Sequence, residues 1–319
     1  MISVVFVIKV IRMEAYQLRN GNPINRRISE HDIHKIFRKF KIDAKVNNIS
    51  NYYEAFVHES YVAPTSEILE KEPPLTSDEI AFYKKNVQEV LPFQNNSYDR
   101  LEFIGDRVLD LIIADYIFHR YPDEAEGFWT ELKTKLVRGS RLCILAKKLR
   151  LDRFILVSRK YDKYRRNDDV LEDVFEAFLG AIYRDFGCHT QAFGICKDFV
   201  VTLMERYLNF TLIVRRQDNY KRLLLEYYHK HFGAGKDPKY VTQSFEGPSN
   251  DRLWKSGVTN IDGFVIATGE ARTSTGADQM AAKEALKYYG VQELYSDSEE
   301  PIKEVYSDSD SESLTDNDE

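Results

Sequence analysis

Two stretches of this chain are too apolar along one side to fold anywhere except against a partner. Tyr98–Tyr121 begins YDRLEFIGDRVLDL, and Asp169–Asp185 reads DVLEDVFEAFLGAIYRD. Both place apolar residues at helical spacing. At about 100° per residue, Glu102 and Asp106 fall within roughly 60° and 20° of Asp99 around the first helix. Leu101, Ile104, Val108 and Ile112 point the other way. In the second stretch Asp173 and Glu176 share an edge, opposite Leu171, Val174, Phe175, Phe178 and Ile182. Packing the apolar sides together crowds five carboxylates onto one seam. Two such charges about 4 Å apart repel by roughly 4 kcal/mol at an effective dielectric near 20. Raised pKa values, Lys/Arg partners or a divalent cation would each relieve the repulsion. An all-oxygen donor set suits hard ions such as magnesium or manganese.

The rest of the chain arranges itself around these helices. Residues 1–28 form an N-terminal extension. Short helices are expected in SEHDIHKIFRKF and YYEAFVHESYV, within residues 29–61. Residues 64–97, with Pro64, Pro73, Pro74 and Pro92, read as an insertion carrying one helix, TSDEIAFYKKNVQEVL. A further helix is expected over Thr130–Leu149, a basic loop over 158–168, and a helix running to about Tyr207. FTLIVRRQD is the candidate linker. Beyond it a helix at Tyr220–His231, three strand-like segments (KYVTQSF, RLWKSGV, FVIATGEA) and a helix at Gly276–Tyr289 make an α-β-β-β-α unit over 217–291. The expected fold class is therefore a mainly α domain over 29–210 followed by a small α+β domain. Residues 292–319, rich in Ser, Asp and Glu, are expected to be a disordered acidic tail.

Charge is distributed unevenly. The net charge of −6 hides a segment from Glu293 to Glu319 with eleven acids and one lysine. Lys133–Arg166 holds thirteen Lys/Arg against two Asp, which suits a polyanionic partner. Cys143, Cys188 and Cys196 lack the spacing of a disulfide framework or zinc site and read as free thiols of a reducing compartment, cytoplasm or nucleus. The opening MISVVFVIKVIR is too short to span a bilayer and lacks the basic start of a secretory signal; no membrane association is expected. None of the seven histidines stands at nucleophile or zinc spacing, and His58 is expected to cap or pack.

RLEFIGDRVL (Arg100–Leu109) and EDVFEAFLGAIY (Glu172–Tyr183) closely resemble the two signature blocks of the ribonuclease III family. HESY (His58–Tyr61) and EGF (Glu126–Phe128) are similar to two further motifs of that family, and the C-terminal unit resembles a double-stranded-RNA-binding domain. The resemblance implies a catalytic endonuclease domain whose core metal and catalytic positions are Glu102, Asp106, Asp173 and Glu176. Asp99, standing where glutamate is usual, and Glu126 are the supporting acids. Phe103 matches an aromatic dimer contact. The implied activity is magnesium-dependent (alternatively manganese-dependent) hydrolysis of double-stranded RNA by a homodimer. It leaves 5′-phosphate and 3′-hydroxyl ends with short 3′ overhangs, and needs no small-molecule cofactor. Such an enzyme would serve RNA processing or silencing.

The basic segment then acquires candidate phosphate contacts: Lys160, Lys163, Arg165 and Arg166 in the loop, with Lys133, Lys135, Arg138 and Arg141 on the helix before it. In the small domain the match is partial. GPSN (Gly247–Asn250) carries Asn250 where histidine is usual. Ser274 and Thr275 replace two lysines, and Leu225 stands where glutamine is common, while Glu226 is retained. Glu226, Arg272, Ser274 and Thr275 are the candidate RNA contacts there, with protein contact as the other role open to this module. The tail either solubilises the chain or competes with RNA for its basic surface. The alternative to a nuclease is a non-cleaving protein that sequesters duplex RNA or supports a ribonucleoprotein. Retention of the whole acidic set argues against it.

Overall fold

The computed structural model describes residues 2–85, 90–187, 189–215, 219–246 and 253–291, and the chain divides after Leu208 into two units. The first is helical. α1 (Ile2–Asn20) lies in the N-terminal extension. α2 (Glu30–Lys39) starts at a capping box: the Ser29 hydroxyl accepts from the Asp32 amide, and the Asp32 carboxylate accepts from the Ser29 amide at 2.9 Å. α3 (Ile49–Glu54) and a 3-10 turn at Glu59–Tyr61 follow. Among its described residues the insertion holds α5 (Ser77–Lys85), within the expected helix, and a further short helix ahead of it, α4 (Ser66–Lys71), with Pro73 and Pro74 between the two.

α6 (Asp99–Arg120) stops just before Pro122. The single helix expected over Thr130–Leu149 is instead α7 (Glu126–Leu136) and α8 (Gly139–Leu149), parted where Arg138 turns extended at φ −61°, ψ 133°. A 3-10 segment, Arg159–Arg166, occupies the expected basic loop. α9 (Asp168–Asp185) gives way to Gly187 at φ +48°, a conformation glycine adopts without a Cβ penalty, and α10 (His189–Tyr207) completes the unit.

The core is built around α9, whose most extensive contact is with α6. Two glycines permit it. A Cβ on Gly105 would lie 1.8 Å from the Glu176 carbonyl oxygen, and one on Gly180 would lie 2.1 Å from that of Leu101. The two backbones therefore touch at the crossing. Phe178, fully buried, meets the rings of Tyr52, Phe56 and Phe199 at centroid separations of 6.0, 5.9 and 5.9 Å. The buried Asp185 carboxylate accepts from the amides of Asn47 and Asn48 and from the Tyr52 hydroxyl, fixing the chain ahead of α3 to the end of α9.

The extension and the insertion fold onto one another. Arg19 pairs with Glu72 at 2.5 Å and Glu79 at 2.9 Å, Gln17 donates to the Leu91 carbonyl, and Tyr16 packs on Phe93. No helix among the described residues is long and apolar enough to cross a membrane.

In the second unit, α11 (Phe210–Arg215) forms within the segment expected to be a linker. α12 (Tyr220–Phe232) precedes an antiparallel sheet, β1 (Lys239–Glu246), β2 (Leu253–Thr259) and β3 (Val265–Ala271), ordered β1-β2-β3, and α13 (Ser274–Tyr288) closes the fold. The core joins Leu224 and Tyr228 of α12, Val258 of β2 and Ala281, Ala282, Ala285 and Leu286 of α13. Tyr228 also donates to the Thr259 carbonyl at 2.9 Å.

Candidate active site

The crossing of α6 and α9 places the acidic edges as their periodicity implies. Glu102 and Asp106 lie one turn apart on α6, facing Glu172, Asp173 and Glu176 on α9. Burial, followed by the charges of Asp173, Asp99, Asp106 and Glu172, raises the Glu102 carboxyl to about 7. Burial, followed by Asp106, Glu172, Glu102 and Asp173, raises Glu176 to about 8. Glu176 is only 9% exposed. Glu172 and Asp173 are shifted upward too, by burial first; neighbouring acids add to both shifts, and the Tyr98 hydroxyl partly offsets that of Asp173. The charged neighbours that set Glu102 and Glu176 are all acids. Arg107 pairs with Asp106 at 2.9 Å.

Two participants went unmarked in the sequence. Glu172 belongs to the cluster, and its carboxylate rests against Gly139, where a Cβ would meet Oε2 at 1.9 Å. The break between α7 and α8 brings that glycine, the first residue of α8, to the acid. Tyr98 is buried and donates its hydroxyl to Asp173 Oδ2 at 3.2 Å. His58 caps the 3-10 turn at Glu59–Tyr61 by accepting from the Ser60 amide at 3.1 Å, and packs on Tyr98 and Tyr161. Burial lowers its pKa. Glu126 is exposed in the first turn of α7 and accepts from the Thr130 hydroxyl at 2.8 Å.

The basic residues divide into outward and inward sets. Lys160, Lys163 and Arg166 are exposed, with Arg166 3.3 Å from Asp152. Arg165 is not on that surface. It is 9% exposed, donates to Asp162, Asn25 and the Ile155 carbonyl, and is a structural residue. Lys135 and Arg141 are likewise buried, and Lys133 pairs with Asp110 at 2.9 Å, so most of the α7–α8 basic face is engaged within the fold. In the second unit Glu226 is exposed beside Arg222 at 3.5 Å. Arg272, Ser274 and Thr275 are exposed around the start of α13, which Thr273 caps. Residues 247–250 with Asn250, the tail from 292, and Cys188 lie outside the described residues. Phe103 is 68% exposed on α6.

Residues 99–187 match the profile described as the Ribonuclease III domain, and residues 220–289 that of the Double-stranded RNA binding motif. The chain is 33% identical over 201 residues to a protein named ribonuclease 3 from Chlorobium chlorochromatii, covering 62% of this chain and 77% of that one. This chain belongs to the ribonuclease III family. Two viral relatives are similar. A probable ribonuclease 3 of Acanthamoeba polyphaga mimivirus is 35% identical over 208 residues, 65% of this chain and 37% of that longer protein. Putative protein A464R of Paramecium bursaria Chlorella virus 1 is 31% identical over 263 residues, 76% and 92% of the two chains. The nuclease domain of ribonuclease III from Campylobacter jejuni aligns with a TM-score of 0.40 at 26% identity, over 54% of this chain and 96% of that one. In this member of the ribonuclease III family, both acidic signature blocks and the double-stranded-RNA-binding fold are present together.

Proposed function

We propose that this protein is a divalent-metal-dependent endoribonuclease that hydrolyses phosphodiester bonds in double-stranded RNA, leaving 5′-phosphate and 3′-hydroxyl ends. The supporting observation is the seam of acids at the α6–α9 crossing, with Glu102 and Glu176 pushed up to about 7 and about 8. A fold that only held RNA would gain from losing these charges.

The donor set fits a hard divalent cation. It is made of carboxylate oxygens alone, half-buried, and the charges that shift Glu102 and Glu176 are those of other acids. Among the described residues no three such side chains converge closely enough to hold an ion as they stand, so binding would draw them inward. Glu102, Asp106, Asp173 and Glu176 would hold magnesium or manganese, with Asp99 and Glu126 as the outer acids. Bound there, the ion would supply acidification of a water and compensation for charge at the scissile phosphate. The chain's own contribution is orientation and proton storage. Tyr98 fixes one oxygen of Asp173. Glu176 and Glu102 carry protons near neutral pH that a bound cation would displace. Lys160, Lys163 and Arg166 stand ready for flanking phosphates, and the second unit adds Glu226, Arg272, Ser274 and Thr275.

A homodimer is part of this reading. Phe103, Leu111 and Phe118, 68%, 58% and 55% exposed, fall within about 80° of each other on α6 and make an apolar stripe beside the acids. The reading is tested by incubating the purified chain with long duplex RNA, with magnesium and with chelator. Cleavage should require the metal and disappear in Glu176→Gln while duplex binding persists. Cutting by that variant at a comparable rate would show that the site is misassigned.

A further inference from the structure

The 3-10 segment Arg159–Arg166 (RKYDKYRR) is an unlikely structure to stand alone. It holds five cationic residues and one acid, and 3-10 runs beyond three or four residues are uncommon because their hydrogen bonds are poorly aligned. Something outside it must hold it. The structure supplies that support from about 140 residues away in sequence. Asn22, 2% exposed, donates its amide to Asp162 Oδ1 at 2.8 Å and accepts from the Ile24 amide at 3.1 Å. Asn25 donates to the Val157 carbonyl at 3.1 Å, accepts from the Val157 amide at 3.2 Å, and accepts from Arg165 at 2.8 Å. Arg165 in turn binds Asp162. The inward side of the segment is thus clasped by the residues that follow α1.

The clasp is itself anchored. α1 is tied to the insertion through Arg19 and Gln17, and Gly21 lets the chain approach Val90 so closely that a Cβ would lie 2.5 Å from its side chain. On the other side, Lys160, Tyr161, Lys163, Tyr164 and Arg166 are exposed. Tyr161 lies 5.9 Å from the ring of His58, which lies 6.1 Å from that of Tyr98, the donor to Asp173. The segment therefore sits between the N-terminal arm and the carboxylate site.

We infer that Asn22 and Asn25 are positioning residues for RNA: they hold the Arg159–Arg166 segment in the one conformation that presents Lys160, Lys163 and Arg166 beside the carboxylate seam. This rests on the proposed phosphate-binding role of that segment. The extension and the insertion are then parts of the substrate grip. Without the clasp, the cations remain but must be ordered each time RNA binds, which weakens binding without altering the acids.

The experiment uses the full chain and a blunt RNA duplex of about 30 base pairs, long enough for both units to bind. Affinity is measured in chelator at several salt concentrations, and KM and kcat in magnesium. The double variant Lys160→Ala with Lys163→Ala should lower the slope of log affinity against log salt by about two, one per lost phosphate contact. Asn22→Asp sets a second carboxylate against Asp162 and should weaken binding and raise KM about tenfold through lost preorganisation, with kcat within about twofold. Asn22→Ala should do the same without added charge. If the lysine variant binds weakly while both Asn22 variants bind normally, the positioning inference is wrong and the segment's role in RNA binding stands. If the lysine variant keeps the full salt slope, the segment does not contact RNA and both fall.

Discussion

Glu176 should make the metal-free protein lose stability as the pH rises. The folded chain keeps a proton on this carboxyl up to about 8, whereas an ordinary glutamate releases it near 4.5. Between those values the unfolded chain binds fewer protons than the native one, so stability falls with pH. Each unit costs the fold about 1.36 kcal/mol. From pH 5 to pH 8, Glu176 taken alone accounts for roughly 3–4 kcal/mol. Glu102, raised to about 7, acts in the same direction. Glu176→Gln keeps the shape and removes the titration. In chelator its melting temperature should stay nearly level where that of the unaltered chain declines. At 2–4 °C per kcal/mol for a unit of this size, the two should differ by about 6–16 °C at pH 8 and little at pH 5. Magnesium should raise the unaltered chain at pH 8 and leave the variant nearly unchanged. Parallel melting curves from pH 5 to pH 8 in chelator would refute the claim that like charges and burial are compressed at Glu176.

Four further outcomes are expected. Gly105→Ala places a methyl 1.8 Å from the Glu176 carbonyl oxygen and should cost about 3 kcal/mol or more by urea unfolding. Gly194→Ala, with open space around it within α10, should stabilise by about 0.5–1 kcal/mol. Asp185→Ala strands two backbone amides and the Tyr52 hydroxyl, and should cost about 3 kcal/mol in the same assay. Phe103→Glu combined with Leu111→Glu should convert a dimer to a monomer in sedimentation velocity; an unchanged sedimentation coefficient would remove the α6 stripe from the proposed interface.

Local pattern carried much of this structure. The apolar spacing of 98–121 and 169–185 marks α6 and α9 because each buries one side, and the run from Tyr220 to Tyr289 shows its strands and flanking helices by a change of period. The break at Val137–Arg138 has no Pro to announce it; Gly139 is the only hint, and its partner Glu172 comes from α9. Glu172 lies four residues before Glu176 and within about 40° of it around α9, so the periodicity that joins Asp173 to Glu176 reaches it as well. Arg165 looked like its basic neighbours, since the residues that turn it inward, Asn25 and Asp162, are uncharged and distant or already within the run. FTLIVRRQD looked like a connector, yet its first six residues form a turn and a half of helix.

The paired glycines at the α6–α9 crossing separate scaffold from charge. Main chain rests on main chain at Gly105 and Gly180, so the spacing between the helices is set by peptide groups and owes nothing to the carboxylates above it. A descendant of this gene that traded every one of those acids for neutral residues would inherit the same cradle intact. Catalysis can thus be lost, or rebuilt with different side chains, while the framework that shapes the cleft persists.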